Sequence, residues 1–293
     1  MNRNGKNLKI YLMDGLASGR WICELSNWTG KAYKIPRTSY KKCLDRDELR
    51  NPSVYFLFGS DDKTGKPLIY IGETEDAIQR LGEHIKNEEK NYWIEAIVFI
   101  SKDDHLNKAH IKYLGSRFYD IAKDTERYEV MNVTPPKKSA ISEAEESEME
   151  EYIDNVKLVV TILGHKVFEP LVPIIDLPKE VNGDDKSEDL HIKTNKGLLA
   201  TGLVAPDGFI VLKGSSINGS LVGKSLSENI TKLRKQYLSD GTVIDSVFTK
   251  NTLFSSPSAA AEFIYGYSAS GPRAWKNNNG ETLKNLNEEQ VKR

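Results

Sequence analysis

Residues 53–84 read SVYFLFGSDDKTGKPLIYIGETEDAIQRLGEH, and this stretch decides the fold of the first half of the chain. Two apolar runs, Val54–Phe58 and Leu68–Ile71, flank a polar segment rich in aspartate and glycine, which indicates a hairpin of largely buried strands. A helix should follow, because Thr74 can cap its N-terminus and carboxylates occupy its first turn. The apolar stripe of this helix comprises Ile78, Leu81 and Ile85.

The pattern continues on both sides of this stretch. Trp93–Ile100 predicts a third strand, and a helix from about Leu106 to Lys123 places four apolar side chains on one face. Residues 51–135 therefore predict a β-β-α-β-α domain. Upstream, Lys9–Met13 and Arg20–Leu25 predict strand, turn and strand, so residues 1–50 form a β-rich leader packed on that domain.

The second half of the chain begins with a helix and a linker. Ser142-Glu-Ala-Glu145 matches a capping box, and we expect residues 136–190 to form an acidic connecting helix, with a solvated glutamate face, and a linker at Pro178–Asp189. Residues 191–293 predict a small α+β domain, so the whole chain is of the α+β class. The expected elements of this C-terminal domain are a hairpin at Pro206–Gly208, a helix from Ser227 to Leu238, a strand near Val243–Phe248 and a helix over Ser258–Tyr265.

Composition narrows the class of protein. With 293 residues, 39% of them hydrophobic, the chain can bury the cores of two or three units. No apolar run approaches the roughly 20 residues that span a bilayer, and the N-terminus lacks a signal-peptide pattern, so we expect a cytoplasmic protein with no membrane partner. Cys23 and Cys43 lie in no metal-type spacing and are expected to be reduced thiols.

Charge is distributed unevenly along the chain. The net charge is −1, but residues 1–50 carry 11 Lys/Arg against 5 Asp/Glu and residues 196–293 carry 12 against 8. A phosphate-binding surface needs local rather than total positive charge. The basic ends therefore leave a nucleic-acid partner open without establishing one.

Three motifs follow one another within this predicted domain. Ser53-Val-Tyr55, Tyr70-Ile-Gly72 and Gln79-Arg-Leu-Gly-Glu-His84 occur in a β-β-α context, and in this order they resemble the GIY-YIG nuclease family, with Ser53 in place of a glycine. Either tyrosine alone would be read as a core residue, so the joint order carries the resemblance. It implies that Tyr55 or Tyr70 assists deprotonation of the attacking water. It also implies that Arg80 contacts the scissile phosphate. His84, four residues further along the helix, lies on the same side, and both residues are expected to lie off its buried stripe.

The same resemblance implies a metal ligand on the later helix. A glutamate in a Tyr-Leu-Glu-Ser-Arg segment would hold a single Mg²⁺ or Mn²⁺, but this chain has Tyr113-Leu-Gly115-Ser-Arg117. Glycine inside a helix costs about 1 kcal/mol relative to alanine, so folding does not explain it. The nuclease could be disabled, the protein could be a natural non-cleaving binder, or a neighbour such as Asp120 could supply the ligand. Asn132 matches a position where the family often has asparagine.

The flanking segments resemble a bacterial subgroup of this family that carries a C-terminal domain of unknown function. The resemblance implies a metal-dependent DNA endonuclease that hydrolyses phosphodiester bonds, with restriction or phage defence as roles by analogy. Loss of the glutamate at Gly115 would inactivate it. The alternative is a non-catalytic nucleic-acid-binding or regulatory protein. In the C-terminal domain Arg273, Trp275 and Lys276 are the candidate DNA contacts, although Trp275 equally suits the core of a small domain.

Overall fold

The computed structural model describes residues 5–171, 189–193, 199–219 and 225–292. It divides into two compact units, Met1–Pro170 and Leu171–Arg293, and both mix strands with helices, so the predicted α+β class is confirmed. Residues 172–188, which hold nearly all of the predicted linker at Pro178–Asp189, lie outside the described residues.

A mixed seven-stranded sheet organises the first unit. Its strands lie in the order β1-β2-β3-β6-β4-β5-β7, and all neighbours are antiparallel except β5 and β7. The strands are β1 (Leu8–Leu12), β2 (Trp21–Leu25), β3 (Gly30–Pro36), β4 (Ser53–Ser60), β5 (Pro67–Thr74), β6 (Trp93–Ser101) and β7 (Glu129–Val130). The helices are α1 (Ala77–Lys86), α2 (Lys108–Thr125) and α3 (Glu143–Ile162), with short 3-10 segments at Arg37–Cys43, Asp47–Arg50 and Glu88–Lys90.

The two faces of this sheet bury different side chains. Because successive strand residues point to opposite faces, Val54 and Phe56 of β4 pack with α2 and α3, whereas Tyr55 and Leu57 pack with α1. The leader joins the sheet because β3 pairs with β6. Of these two strands, β3 was not predicted from the sequence.

Two details of the helices differ from expectation. Asp76, not Thr74, caps α1, because its carboxylate accepts a hydrogen bond from the Gln79 amide at 2.9 Å. The capping box at Ser142 is confirmed. The apolar side of α3 lies in the core of the first unit with α2, so this helix is part of that unit and does not connect two domains.

The second unit contains a four-stranded antiparallel sheet in the order β13-β10-β9-β8. The predicted single strand near Val243–Phe248 is wrong: Asp245 and Ser246 adopt positive φ, so the segment turns back as a two-stranded hairpin. The strands are β8 (Leu190–Lys193), β9 (Leu199–Ala205), β10 (Gly208–Val211), β11 (Val243–Ile244), β12 (Val247–Phe248) and β13 (Thr252–Phe254). The helices are α4 (Glu228–Ser239), α5 (Pro257–Tyr265), α6 (Gly271–Ala274) and α7 (Leu283–Lys292).

Within the described ranges, none of the helices has the length and apolar character needed to cross a membrane.

Candidate active site

The Tyr55 hydroxyl is the meeting point of the predicted site residues. Tyr55 lies on the α1 face of the sheet with 1% of its surface exposed. Its hydroxyl is 2.8 Å from Nε2 of His84, and Nε of Arg80 donates a hydrogen bond to it at 3.2 Å. Arg80 and His84 are four residues apart on α1 and therefore lie on one side of the helix, as predicted.

Gly72 makes this arrangement possible. It pairs with Tyr55 across β4 and β5, and a Cβ atom at position 72 would lie 2.3 Å from the Tyr55 hydroxyl. Any larger residue would displace the tyrosine ring. The glycine of the Tyr-Ile-Gly motif is therefore a steric requirement of the site.

His84 is buried, with 3% of its surface exposed, so the expectation that it lies off the buried stripe of α1 is wrong. Burial, together with the charges of Lys90 and Arg80, lowers the pKa of His84 to about 3, so the ring is neutral. Arg80 can only donate to the Tyr55 oxygen, whereas the donor and acceptor roles of Tyr55 and His84 in their hydrogen bond depend on the imidazole tautomer. The three side chains form a hydrogen-bonded chain from Arg80 through Tyr55 to His84.

Tyr70 and Lys90 extend the site toward solvent. Nζ of Lys90 lies 3.7 Å from the centre of the Tyr70 ring, and that ring packs against His84 at 5.0 Å between centroids. Burial, with the charge of Arg80, lowers the pKa of Lys90 to about 8. Lys90 was missed in the sequence because it belongs to a short 3-10 segment after α1, where no motif points to it.

Position 115 faces a carboxylate that the sequence analysis did not select. Gly115 is buried in α2, and a Cβ atom there would lie 3.0 Å from Oε2 of Glu73 and 3.7 Å from its Cβ. Glu73 follows Gly72 on β5, and its burial raises the pKa of its carboxyl group. The alternation Ile69, Ile71, Glu73 was the available signal, since it places a carboxylate in the row that faces α2.

The orientation of α2 is held by α3. Glu150 accepts hydrogen bonds from the Tyr113 hydroxyl at 2.8 Å and from Arg117 at 2.6 and 3.0 Å. Two members of the Tyr113–Arg117 segment are thus anchored, and Gly115 between them is turned to Glu73. At least this part of the α3 glutamate cluster binds α2 and is not the solvated face expected.

The donor set expected for a metal ion does not fit at position 115. Gly115 offers no ligand, and Asp120 is exposed about 140° away around the helix axis. In the parts of the chain that the structure describes, no group of three or more His, Cys, Asp or Glu side chains is placed to hold an ion. Glu73 is the carboxylate in contact range of that position.

Asn132 braces the strand that carries this site. Its side-chain amide donates to the Ile71 carbonyl at 2.7 Å, and its oxygen accepts from the Ile71 amide at 3.0 Å. The side chain therefore continues the pairing that β7 begins. Its contacts give it a positioning role next to Tyr70 and Gly72.

The C-terminal candidates separate by burial. Trp275 is fully buried, with its Nε1 donating to the Pro257 carbonyl at 3.0 Å and its ring 4.4 Å from that of Phe209, so its predicted DNA contact is wrong and its role is in the core. Arg273 and Lys276 are exposed. The backbone of Lys276 pairs with His191 at the edge of the sheet, which leaves its side chain available to a partner.

Comparison with known proteins identifies one part of the chain. Residues 190–287 match the family described as "Domain of unknown function (DUF4357)", in agreement with the predicted C-terminal domain of unknown function. No curated protein and no solved structure matches the chain. The family match does not extend to the first unit, so the resemblance of that unit to GIY-YIG nucleases rests on its motif residues alone.

Proposed function

We propose that the first unit is a DNA nuclease domain of the GIY-YIG type whose phosphate-binding half is intact and whose metal-binding half is impaired by Gly115. The observation that carries this proposal is the convergence of Arg80 and His84, from one helix, on the Tyr55 hydroxyl, from a neighbouring strand. Motif residues scattered over 30 positions of sequence would not meet in this way by strand burial alone.

Arg80 and Lys90 supply the positive charge that a phosphodiester requires. Both are partly exposed, and Arg80 is also paired with Glu83 at 2.6 Å on the solvent side of α1. An incoming phosphate would compete with this exposed pair, which is weak in water. Charge that builds on the phosphorus oxygens during attack would then be neutralised by groups already in place.

The two tyrosines suit different tasks. Tyr55 is buried, burial raises the pKa of its hydroxyl, and its oxygen is occupied by Arg80, so its contacts suit positioning of Arg80 and His84. Tyr70 is partly exposed, and its hydroxyl is therefore the one available to orient the attacking water. A divalent ion, when bound, would stabilise the leaving oxygen.

The decisive comparison is between the unaltered chain and Gly115→Glu. Each is incubated with single- and double-stranded DNA in Mg²⁺ or Mn²⁺, and cleavage by the glutamate variant alone is the expected result. Adding Arg80→Ala to that variant should abolish the gain. Cleavage by the unaltered chain that survives both Tyr55→Phe and Arg80→Ala would contradict the site.

A non-catalytic nucleic-acid-binding protein is the second candidate, favoured by the absence of a side chain at position 115. Its signature is salt-sensitive DNA binding by both chains with cleavage by neither. In either case Arg273 and Lys276 of the C-terminal unit are the exposed cations to test for DNA contact. A cytoplasmic location and a role in restriction or phage defence remain parts of the proposal by family analogy.

A further inference from the structure

Among the described residues, the outer edge of β1 has no partner strand. β1 stands at one end of the seven-stranded sheet and pairs with β2 on its inner side. This pairing runs through all five residues of β1 without a bulge, and the strand contains no proline and a single charged residue, Lys9. Bulges, prolines and charges are the features that usually keep an edge strand from pairing with another chain. Only Lys9 gives β1 such protection.

Hydrogen bonds at both ends of β1 establish which of its backbone groups face the open edge. The Ser26 amide donates to the Asn7 carbonyl at 2.9 Å, and the Met13 amide donates to the Arg20 carbonyl at 2.9 Å. In an antiparallel ladder such bonds recur at every second residue. Every second residue from Asn7 to Met13 therefore bonds β2, and the residues between them direct their amides and carbonyls outward. These residues are Leu8, Ile10 and Leu12.

The side chains of the same three residues form an apolar row along the edge. Leu8 and Ile10 lie across from Leu25 and Cys23 of β2, whose side chains are buried in the core that includes α2 and α3. Ile10 is 44% exposed and Leu12 is 38% exposed. The row is thus the rim of that core, and a strand placed beside β1 would remove its apolar surface from water.

We propose that two copies of this chain pair through β1 in antiparallel orientation, about a two-fold axis at Ile10. This register sets Ile10 opposite Ile10 of the second copy and Leu8 opposite Leu12. All outward amides and carbonyls of β1 are then paired, in about six hydrogen bonds, and the two apolar rows meet. Lys9 lies opposite Tyr11 of the second copy, near enough for a cation–π contact. This pairing is independent of the proposed nuclease function.

The charge of Lys9 favours this register over the neighbouring ones. A two-fold axis at Lys9 would set two lysines directly opposite each other, which is destabilising in a strand pair. An axis at Tyr11 would set Leu8 opposite Asp14 and would leave the apolar row only partly covered. The axis at Ile10 uses all five residues of β1 and separates the two lysines.

The test begins with sedimentation velocity of the full-length chain. Over about 1–100 μM it should show a monomer–dimer equilibrium, because small interfaces associate weakly. Ile10→Lys sets two positive charges opposite each other and should weaken dimerisation at least about 10-fold, and Ile10→Glu should do the same. An equimolar mixture of these two variants should restore the dimer, since residue 10 meets only its own counterpart.

Ile94→Lys is the matched control. Ile94 is 70% exposed on β6, a strand with neighbours on both sides, so its replacement should leave dimerisation unchanged. Thermal unfolding shows whether each variant is folded.

Cysteine cross-linking tests the register. In the proposed dimer the two Ile10 Cα atoms lie about 5.5 Å apart, within the range of a disulfide. The two Leu12 residues are offset by four positions, about 13 Å, which a disulfide does not span. Ile10→Cys should therefore give a covalent dimer under mild oxidation, and Leu12→Cys should not. The native Cys23 and Cys43 are buried.

Three results would overturn the proposal. A chain that is monomeric at every concentration would leave the β1 edge to a strand of a different protein. A dimer that persists in Ile10→Lys would form through another surface. Cross-linking of Leu12→Cys as fast as that of Ile10→Cys would contradict the two-fold axis at Ile10.

Discussion

The two sides of β5 differ in how completely their polar groups are paired. On the α1 side, Gly72 leaves room for Tyr55, whose hydroxyl contacts both Arg80 and His84. On the α2 side, Gly115 also leaves room, but the neighbouring Glu73 has neither an ion pair nor a side-chain hydrogen bond among the described residues. Gly72 leaves the space that the Tyr55 contacts need, whereas Gly115 has no side chain that could contact Glu73. The two sides of β5 can therefore be altered independently by substitution.

The largest effect on DNA binding should come from removing the positively charged side chain of Arg80 on the α1 side. Arg80→Ala is expected to weaken DNA binding about 10- to 100-fold, because a charge-assisted hydrogen bond to phosphate is lost. Fluorescence anisotropy over a range of salt concentrations should also show the salt slope falling by about 1. Lys86→Ala, an exposed lysine on the same helix, is the control. Equal losses from the two variants would mean that α1 binds DNA only through its general charge.

A pair of alanine substitutions compares the two glycines directly. Gly72→Ala should destabilise the first unit by about 1–3 kcal/mol, because its Cβ atom would overlap the Tyr55 ring. Gly115→Ala makes its one tight contact with the movable Oε2 of Glu73 and otherwise reaches Glu73 at ordinary van der Waals distance, so it should be neutral or stabilising by up to about 1 kcal/mol. Urea denaturation measures both. Similar costs at the two positions would show that the α2 side is as tightly packed as the α1 side.

The support of α2 by α3 should affect stability without affecting DNA binding. Ser142→Ala removes the cap of α3 and should cost about 1 kcal/mol in urea denaturation. Hydrogen bonds from the Ser142 backbone and side chain, and then from His110, lower the pKa of Glu145 to about 2. The capping contribution is therefore present above about pH 4.5 and declines as the pH falls toward 2. A change in DNA affinity at neutral pH would contradict this separation.

The smallest effect concerns Lys90 and pH. Its pKa of about 8 means that DNA affinity should fall severalfold as the pH rises through 8 to 9, and Lys90→Arg should remove this dependence. The stability of the folded chain should change with pH in the direction opposite to DNA affinity. The unfolded chain keeps the proton up to its ordinary pKa of 10.5, so the free energy of unfolding should rise from about pH 8 to 10.5. A pH dependence unchanged in Lys90→Arg would assign it to another group.

Local patterns in the sequence predicted the elements but not their long-range contacts. The hairpin, α1, α2 and the Ser142 cap follow from periodicity and capping residues close to one another. The pairing of β3 with β6 and of β5 with β7 joins residues far apart in sequence, and neither β3 nor β7 has a distinctive local pattern. At Val243–Phe248 the apolar residues at both ends led to the prediction of a single strand. The two residues between them, Asp245 and Ser246, instead form a turn with positive φ.

The candidate site shows the same division. Tyr55, Arg80 and His84 could be selected because a motif joins them, although the burial of His84 depends on a partner in another strand. Lys90 and Glu73 could not be selected by motif, because each becomes significant only through a neighbour: the Tyr70 ring for one and Gly115 for the other. Trp275 was ambiguous for a related reason, since a tryptophan suits both a core and a nucleic-acid surface.

Asn132 has a consequence for the motions that the site permits. The Ile71 amide, which would otherwise end the pairing of β5, is closed by a side chain and not by another strand. Its exchange with solvent deuterium should therefore follow rotation of a single side chain, which is faster than opening of the sheet. A single side chain thus holds this part of β5, the strand that carries Tyr70 and Gly72. Protection of the Ile71 amide against exchange would therefore report whether a bound ligand stabilises the Asn132 hydrogen bonds.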